Sequence, residues 1–127
     1  MGEKSLAWGW TVAGLRESEV LKKIKMQLRL FCPSVIWCDR LQSGVAQKGP
    51  YYVRLCKAGT PDLYAIIRDK DYFGFLLFIE VKTIKGRQTP EQKEFQHMIY
   101  GLKHVHYIVA HSVQEVKDYI DKIILDK

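Results

Sequence analysis

Residues 73–82, FGFLLFIEVK, constrain this chain more than any other stretch. Phe75, Leu76, Leu77, Phe78 and Ile79 form an apolar run that reads as a buried strand, yet it ends in Glu80 and Lys82. Side chains alternate along a strand, so Phe75, Leu77, Ile79 and Val81 share one face while Leu76, Phe78, Glu80 and Lys82 share the other. Upstream, DLYAIIR reads as a second strand that begins at Asp62, after the Gly59–Thr60–Pro61 turn. The polar turn Asp69–Lys70–Asp71 joins the two. A hairpin of this kind puts the start of one strand beside the end of the other, so Asp62 meets Glu80.

Other elements follow from periodicity and caps. Glu17, Val20, Leu21, Ile24, Leu28 and Phe31 recur at helical spacing and stop before Pro33, with Glu17 on the apolar face. VIWCDRL and YYVRLCK read as strands separated by a Gly44–Gly49–Pro50 loop. Thr89, Pro90 and Gln92 supply a cap, a first-turn proline and a capping box for a helix with Phe95, Met98, Ile99 and Leu102 as its expected buried stripe. HVHYIVA is a further strand. Ser112 and Glu115 cap a last helix striped by Val116, Tyr119, Ile120, Ile123 and Ile124. The order α-β-β-β-β-α-β-α is that of an α/β chain with a mixed sheet flanked by helices.

At 127 residues the chain is expected to form one domain, 1–127, with a single core. No segment approaches the ~20 apolar residues of a membrane span, and no secretion signal is visible at the N-terminus. Cys32, Cys38 and Cys56 are an odd set without ligand spacing, read as reduced thiols of a cytoplasmic compartment. With 20 Lys+Arg against 14 Asp+Glu the net charge is +6, which favours an anionic partner such as nucleic acid without identifying one.

Two carboxylates forced together repel, and one stays protonated unless a cation joins them. Oxygen donors of this type suit Mg²⁺ or Mn²⁺, which keep waters and accept phosphate oxygens. Lys82, one step along the same face, is placed to hold a water or neutralise charge on a phosphorane-like transition state. Glu17 is a candidate third carboxylate acting through a water. Taken singly, a Glu-x-Lys at a strand end is ordinarily a solvated pair, and a Pro-Asp is ordinarily a turn. It is their opposed placement beside an apolar strand that favours a site.

Gly59, Pro61–Asp62, Glu80-x-Lys82, Gly86–Arg87 and Thr89-x-x-Gln92, with Glu17-x-x-Val20 upstream, resemble the PD-(D/E)XK nuclease superfamily, and most closely its VRR-NUC branch of small stand-alone phage and bacterial members. The resemblance covers about Glu17 to Ser112. It implies a restriction-endonuclease-like α-β-β-β-α-β core, here with a C-terminal helix, and a Mg²⁺- or Mn²⁺-dependent DNA endonuclease. It further implies that Asp62, Glu80 and the Val81 carbonyl bind the metal, that Lys82 serves catalysis, and that Gln92 positions water, metal or phosphate. Small relatives of this kind suggest cutting of branched DNA such as four-way junctions by a homodimer, in a bacterial or phage-infected cell. WCDRLQSG departs from the polar pattern of such relatives, so Asp39, Arg40 and Gln42 receive no role.

Lys57, Lys85, Arg87 and Lys93 surround the proposed site in sequence and are candidates to neutralise phosphates without reading bases. His97, His104, His106 and His111 offer a competing zinc reading, but no Cys or acidic ligand is spaced to complete it. Trp8, Trp10 and Trp37 read as packing residues rather than base-stacking ones. Two other classes compete with the nuclease. One is a nucleic-acid-binding module of the same fold without catalysis, and the other is a partner protein that uses the aromatic N-terminus as an interface.

Overall fold

The computed structural model describes residues 16–41, 45–54 and 57–125. Trp8, Trp10, Gln42, Gly44 and Cys56 lie outside them. Three helices and six strands follow in the order α1 (Glu17–Phe31), β1 (Val35–Arg40), β2 (Val45–Lys48), β3 (Tyr51–Arg54), β4 (Leu63–Arg68), β5 (Gly74–Val81), α2 (Pro90–Ile99), β6 (Val105–Ala110) and α3 (Val113–Leu125). The main sheet has four strands in the order β1-β4-β5-β6. β1 and β5 each run antiparallel to β4 between them, and β6 joins β5 in parallel after the α2 crossover. This is the mixed α/β fold expected of a restriction-endonuclease-like core.

The described strand within YYVRLCK, Tyr51–Arg54, does not enter that sheet. Among the described residues these four, as β3, pair only with β2 in a separate two-stranded ribbon, turned at Gly49, whose φ of +62° suits a tight hairpin. β2 itself carries no separate signal in the sequence.

α1 and α3 cover one face of the main sheet. Val20, Leu21, Ile24 and Leu28 of α1, and Val116, Ile120 and Ile123 of α3, close over Leu63, Ala65 and Ile67 of β4 and Phe75, Leu77, Ile79 and Val81 of β5. The register sets Leu63 against Ile79, Ala65 against Leu77 and Ile67 against Phe75, so the apolar positions of the two strands stack on one side. Each fully buried Leu or Ile there stabilises the fold by about 1.5–3 kcal/mol. Cys38 belongs to this core, where burial pushes its thiol up to about 11, the state of an inert packing group.

Among the described residues, α2 alone covers the opposite face, and incompletely. Phe95 meets Phe78 edge-on at 5.1 Å and Tyr107 at 6.1 Å. The expected buried stripe of α2 is only half realised: Phe95 and Ile99 are half-buried, while Met98 and Leu102 are exposed. Phe31 of α1 is likewise exposed, with the Lys117 ammonium 5.8 Å from its ring centre.

Candidate active site

Asp62 and Glu80 come together as the hairpin requires. Leu63 pairs with Ile79, so the next positions outward are Asp62 on one strand and Glu80 on the other. Asp62 Oδ2 accepts the Val81 N–H at 2.8 Å, closing the ladder with a side chain just before β4 begins. The Asp62 carbonyl accepts the Leu41 N–H at 2.8 Å, which fixes the same residue to the chain leaving β1.

Gly59 sets the approach of this segment. Its φ is +92°, a left-handed conformation that favours glycine, and a Cβ there would collide with the backbone carbonyl of Glu91 in the first turn of α2. Thr60 ties the turn down, donating its N–H and hydroxyl to the Lys57 carbonyl at 3.2 and 2.6 Å. The loop before Asp62 is thereby pressed on the helix that carries Gln92.

Gln92 is oriented by the α2 cap. Its Oε1 accepts the Thr89 N–H at 2.8 Å, and its own N–H binds Thr89 Oγ1 at 3.1 Å. With the amide oxygen so engaged, Nε2 faces the sheet and donates to Glu80 Oε2 at 3.0 Å. Lys82 Nζ lies 3.6 Å from the same oxygen. Both Glu80 and Lys82 are buried.

Glu80 Oε1 is different. It is buried and, among the described residues, finds no hydrogen-bond partner. Burial above all, then repulsion from Asp62, pushes the Glu80 carboxyl up to about 8, with Lys82 opposing. Since neighbouring Asp62 offers only further acceptor oxygens, a proton or a cation must reconcile the pair. Two carboxylates and an orphaned buried oxygen fit a hard divalent ion. Among the described residues no group of three His, Cys, Asp and Glu side chains converges. Glu17 accordingly stays outside the pair: it opens α1 on the expected side, but its side chain is exposed.

Lys57, Lys85, Arg87 and Lys93 are all exposed, on the chain before Gly59, on the β5–α2 connection and in the first turns of α2. Behind Gln92 stands a group that sequence reasoning missed. Gln88 Nε2 donates to Gln96 Oε1 at 3.0 Å and to the Tyr107 hydroxyl at 3.2 Å, joining the β5–α2 connection to α2 and β6. Burial pushes Tyr107 up to about 12, and the Glu80 and Asp62 charges push the same way. Only the alternation of Tyr107 with its strand neighbours hints at this in the sequence, and nothing points to Gln88. The histidines serve elsewhere: His104 and His106 pack on Phe75, His106 Nδ1 lies 3.3 Å from the Tyr119 hydroxyl, and His111 lies 3.2 Å from Glu115. Among the described residues no helix is long and apolar enough to cross a membrane.

A comparison with protein families matches the VRR-NUC domain over residues 14–114, a span that includes every element from α1 to β6. Neither the curated proteins nor the solved structures compared with the chain give a match. The family implies a nuclease-type domain with DNA as substrate, and its members generally use divalent metals. From its matched span and its fold, this chain belongs to the VRR-NUC family of nuclease domains.

Proposed function

We propose that the chain is a Mg²⁺- or Mn²⁺-dependent DNA endonuclease, a single domain over 1–127, that hydrolyses phosphodiester bonds at the Asp62–Glu80 pair. The observation that carries this reading is the buried Glu80 Oε1, partnerless among the described residues beside a second carboxylate while Oε2 is held by Gln92 and Lys82. Asp62, Glu80 and the Val81 carbonyl would hold the ion. When bound, a divalent ion supplies positive charge at the scissile phosphate and acidifies water.

The chain's own residues do the rest. Gln92, held by its cap, keeps Glu80 Oε2 turned towards α2 and leaves Oε1 outside that contact. Lys82 brings an ammonium group to the same edge, where it orients the attacking water and offsets negative charge developing on the phosphate. Lys57, Lys85, Arg87 and Lys93 bind flanking phosphates without sequence readout. Glu17, exposed at the start of α1, would act as a third carboxylate only through a water and not as a direct ligand. Branched DNA such as a four-way junction is the proposed substrate. Its two strands, cut symmetrically, call for a homodimer with opposed sites. The setting we propose is the cytoplasm of a bacterial or phage-infected cell.

Asp62→Ala and Glu80→Ala, assayed on labelled junction and linear duplex with Mg²⁺ and with Mn²⁺, are expected to cut on the order of 10³-fold more slowly while still binding DNA. Near-normal cutting by either variant overturns the assignment of the site. Binding without cleavage by the unaltered protein returns the reading of a non-catalytic binding module.

A further inference from the structure

The β2–β3 ribbon is rooted at the candidate site. Leu41, before it, donates to the Asp62 carbonyl, and Lys57, after it, accepts from Thr60. Among the described residues, β2 and β3 pair only with each other. Tyr51 and Tyr52, side by side on β3, are each 72% exposed. Adjacent residues of a strand point to opposite faces, so the ribbon offers one exposed aromatic ring on either side.

Charge identifies the partner. From Arg40 to Pro61 the sequence contains four basic residues, Arg40, Lys48, Arg54 and Lys57, and no acidic one. A second copy of a chain with net charge +6 is a poor match for such an arm, and a polyanion is a good one. Two exposed tyrosines in a basic stretch of sequence suit a nucleic acid that can offer the faces of its bases. Bases inside an intact duplex cannot do so, because their faces are already stacked on one another; unpaired bases can.

We infer that the β2–β3 ribbon is a nucleic-acid arm whose Tyr51 and Tyr52 stack on unpaired bases beside the strand being cut. This rests on the nuclease reading for the identity of the site and adds the part of the substrate the arm recognises. Tyr52 is ten residues from Asp62, so the ring is anchored within about 36 Å of the site even if the chain between them were fully extended. The arm therefore selects DNA in which unpaired bases lie within that reach of the scissile phosphate, as at a flap or a single-stranded flank.

The test is the double variant Tyr51→Ala/Tyr52→Ala beside Tyr51→Phe/Tyr52→Phe. Binding is measured by fluorescence anisotropy in EDTA, to single-stranded, branched and blunt duplex DNA of equal length. Quenching of 2-aminopurine in the unpaired segment reports stacking directly. The alanine variant is expected to lose about 10-fold or more in affinity for single-stranded and branched DNA, with much less change on duplex, and to lose the quenching. The phenylalanine variant keeps both. Unchanged binding by the alanine variant on all three substrates overturns the inference, as does an equal loss on all three or a failure of the unaltered protein to bind single strands. If the unaltered protein cuts DNA and the alanine variant is unchanged, the arm fails and the nuclease stands. If binding depends on the tyrosines but the unaltered protein does not cut, the arm stands and the nuclease reading fails.

Discussion

One strand serves two unlike faces. Phe75, Leu77, Ile79 and Val81 of β5 look into a core of hydrocarbon closed by α1 and α3, whereas Leu76, Phe78, Glu80 and Lys82 look towards α2. The first face is uniform from end to end. The second changes along its length, from an aromatic contact at Phe78 to a buried carboxylate and ammonium two and four residues later. Burying such groups without partners is costly, and Gln92 and Lys82, which both approach Glu80 Oε2, offset part of that cost against the repulsion from Asp62. The dry face is the foundation, and the face under α2 is where the chain carries a chemical liability.

Three perturbations separate the faces. The largest effect on folding is expected from Leu77→Ala, which opens a cavity between β4, β5 and the helices above them. It should destabilise the protein by about 2–5 kcal/mol, read as a lower midpoint in urea, while cleavage per folded molecule at low temperature stays near normal. A loss of cleavage out of proportion to folding would show that the two faces are not separable.

Gln92→Ala acts on the other side. It removes the donor to Glu80 Oε2 and half of the α2 capping box, so cleavage is expected to fall about 10- to 100-fold. Thr89→Ala, which removes the cap but leaves the Gln92 amide in place, separates helix loss from loss of the contact to Glu80. If both variants lower cleavage equally, Gln92 acts only through the helix.

The smallest effect is a pH dependence in metal-free protein. Glu80 is raised from its ordinary 4.5 to about 8, so between those values the folded chain holds a proton the unfolded chain has released. Stability from this group is therefore fully present below about pH 4.5 and is lost as pH rises towards 8. Glu80→Gln, neutral throughout, should flatten that slope in urea titrations at about pH 5 and about pH 8.5. A parallel slope in both proteins would place the titration elsewhere.

Much of this is legible in the sequence alone, and the reasons are local. Alternation along FGFLLFIEVK assigns Glu80 and Lys82 to one face, and the Asp69–Lys70–Asp71 turn makes a hairpin of the two strands, so the meeting of Asp62 with Glu80 follows from geometry. Thr89 and Gln92 declare their cap in four residues. Glu17 is harder. Helical spacing assigns it to the correct side of α1, but spacing says nothing of where the sheet beneath a helix begins, and the glutamate stands exposed. Met98 and Leu102 depart from the expected stripe for a related cause: an apolar stripe reveals a face, not whether anything covers it.

What the amino-acid order settled, then, is the set of elements, their caps and the pairing that brings two carboxylates to one sheet end, because each depends on neighbours within a turn or a hairpin. Folding in three dimensions settled the rest. It pressed Gly59 on Glu91, turned the Gln92 amide onto Glu80, left β2 and β3 outside the sheet, and buried one glutamate oxygen with no hydrogen-bond partner among the described residues. These outcomes depend on contacts between segments distant in sequence, and on how much water each contact excludes, which no local pattern of residues records.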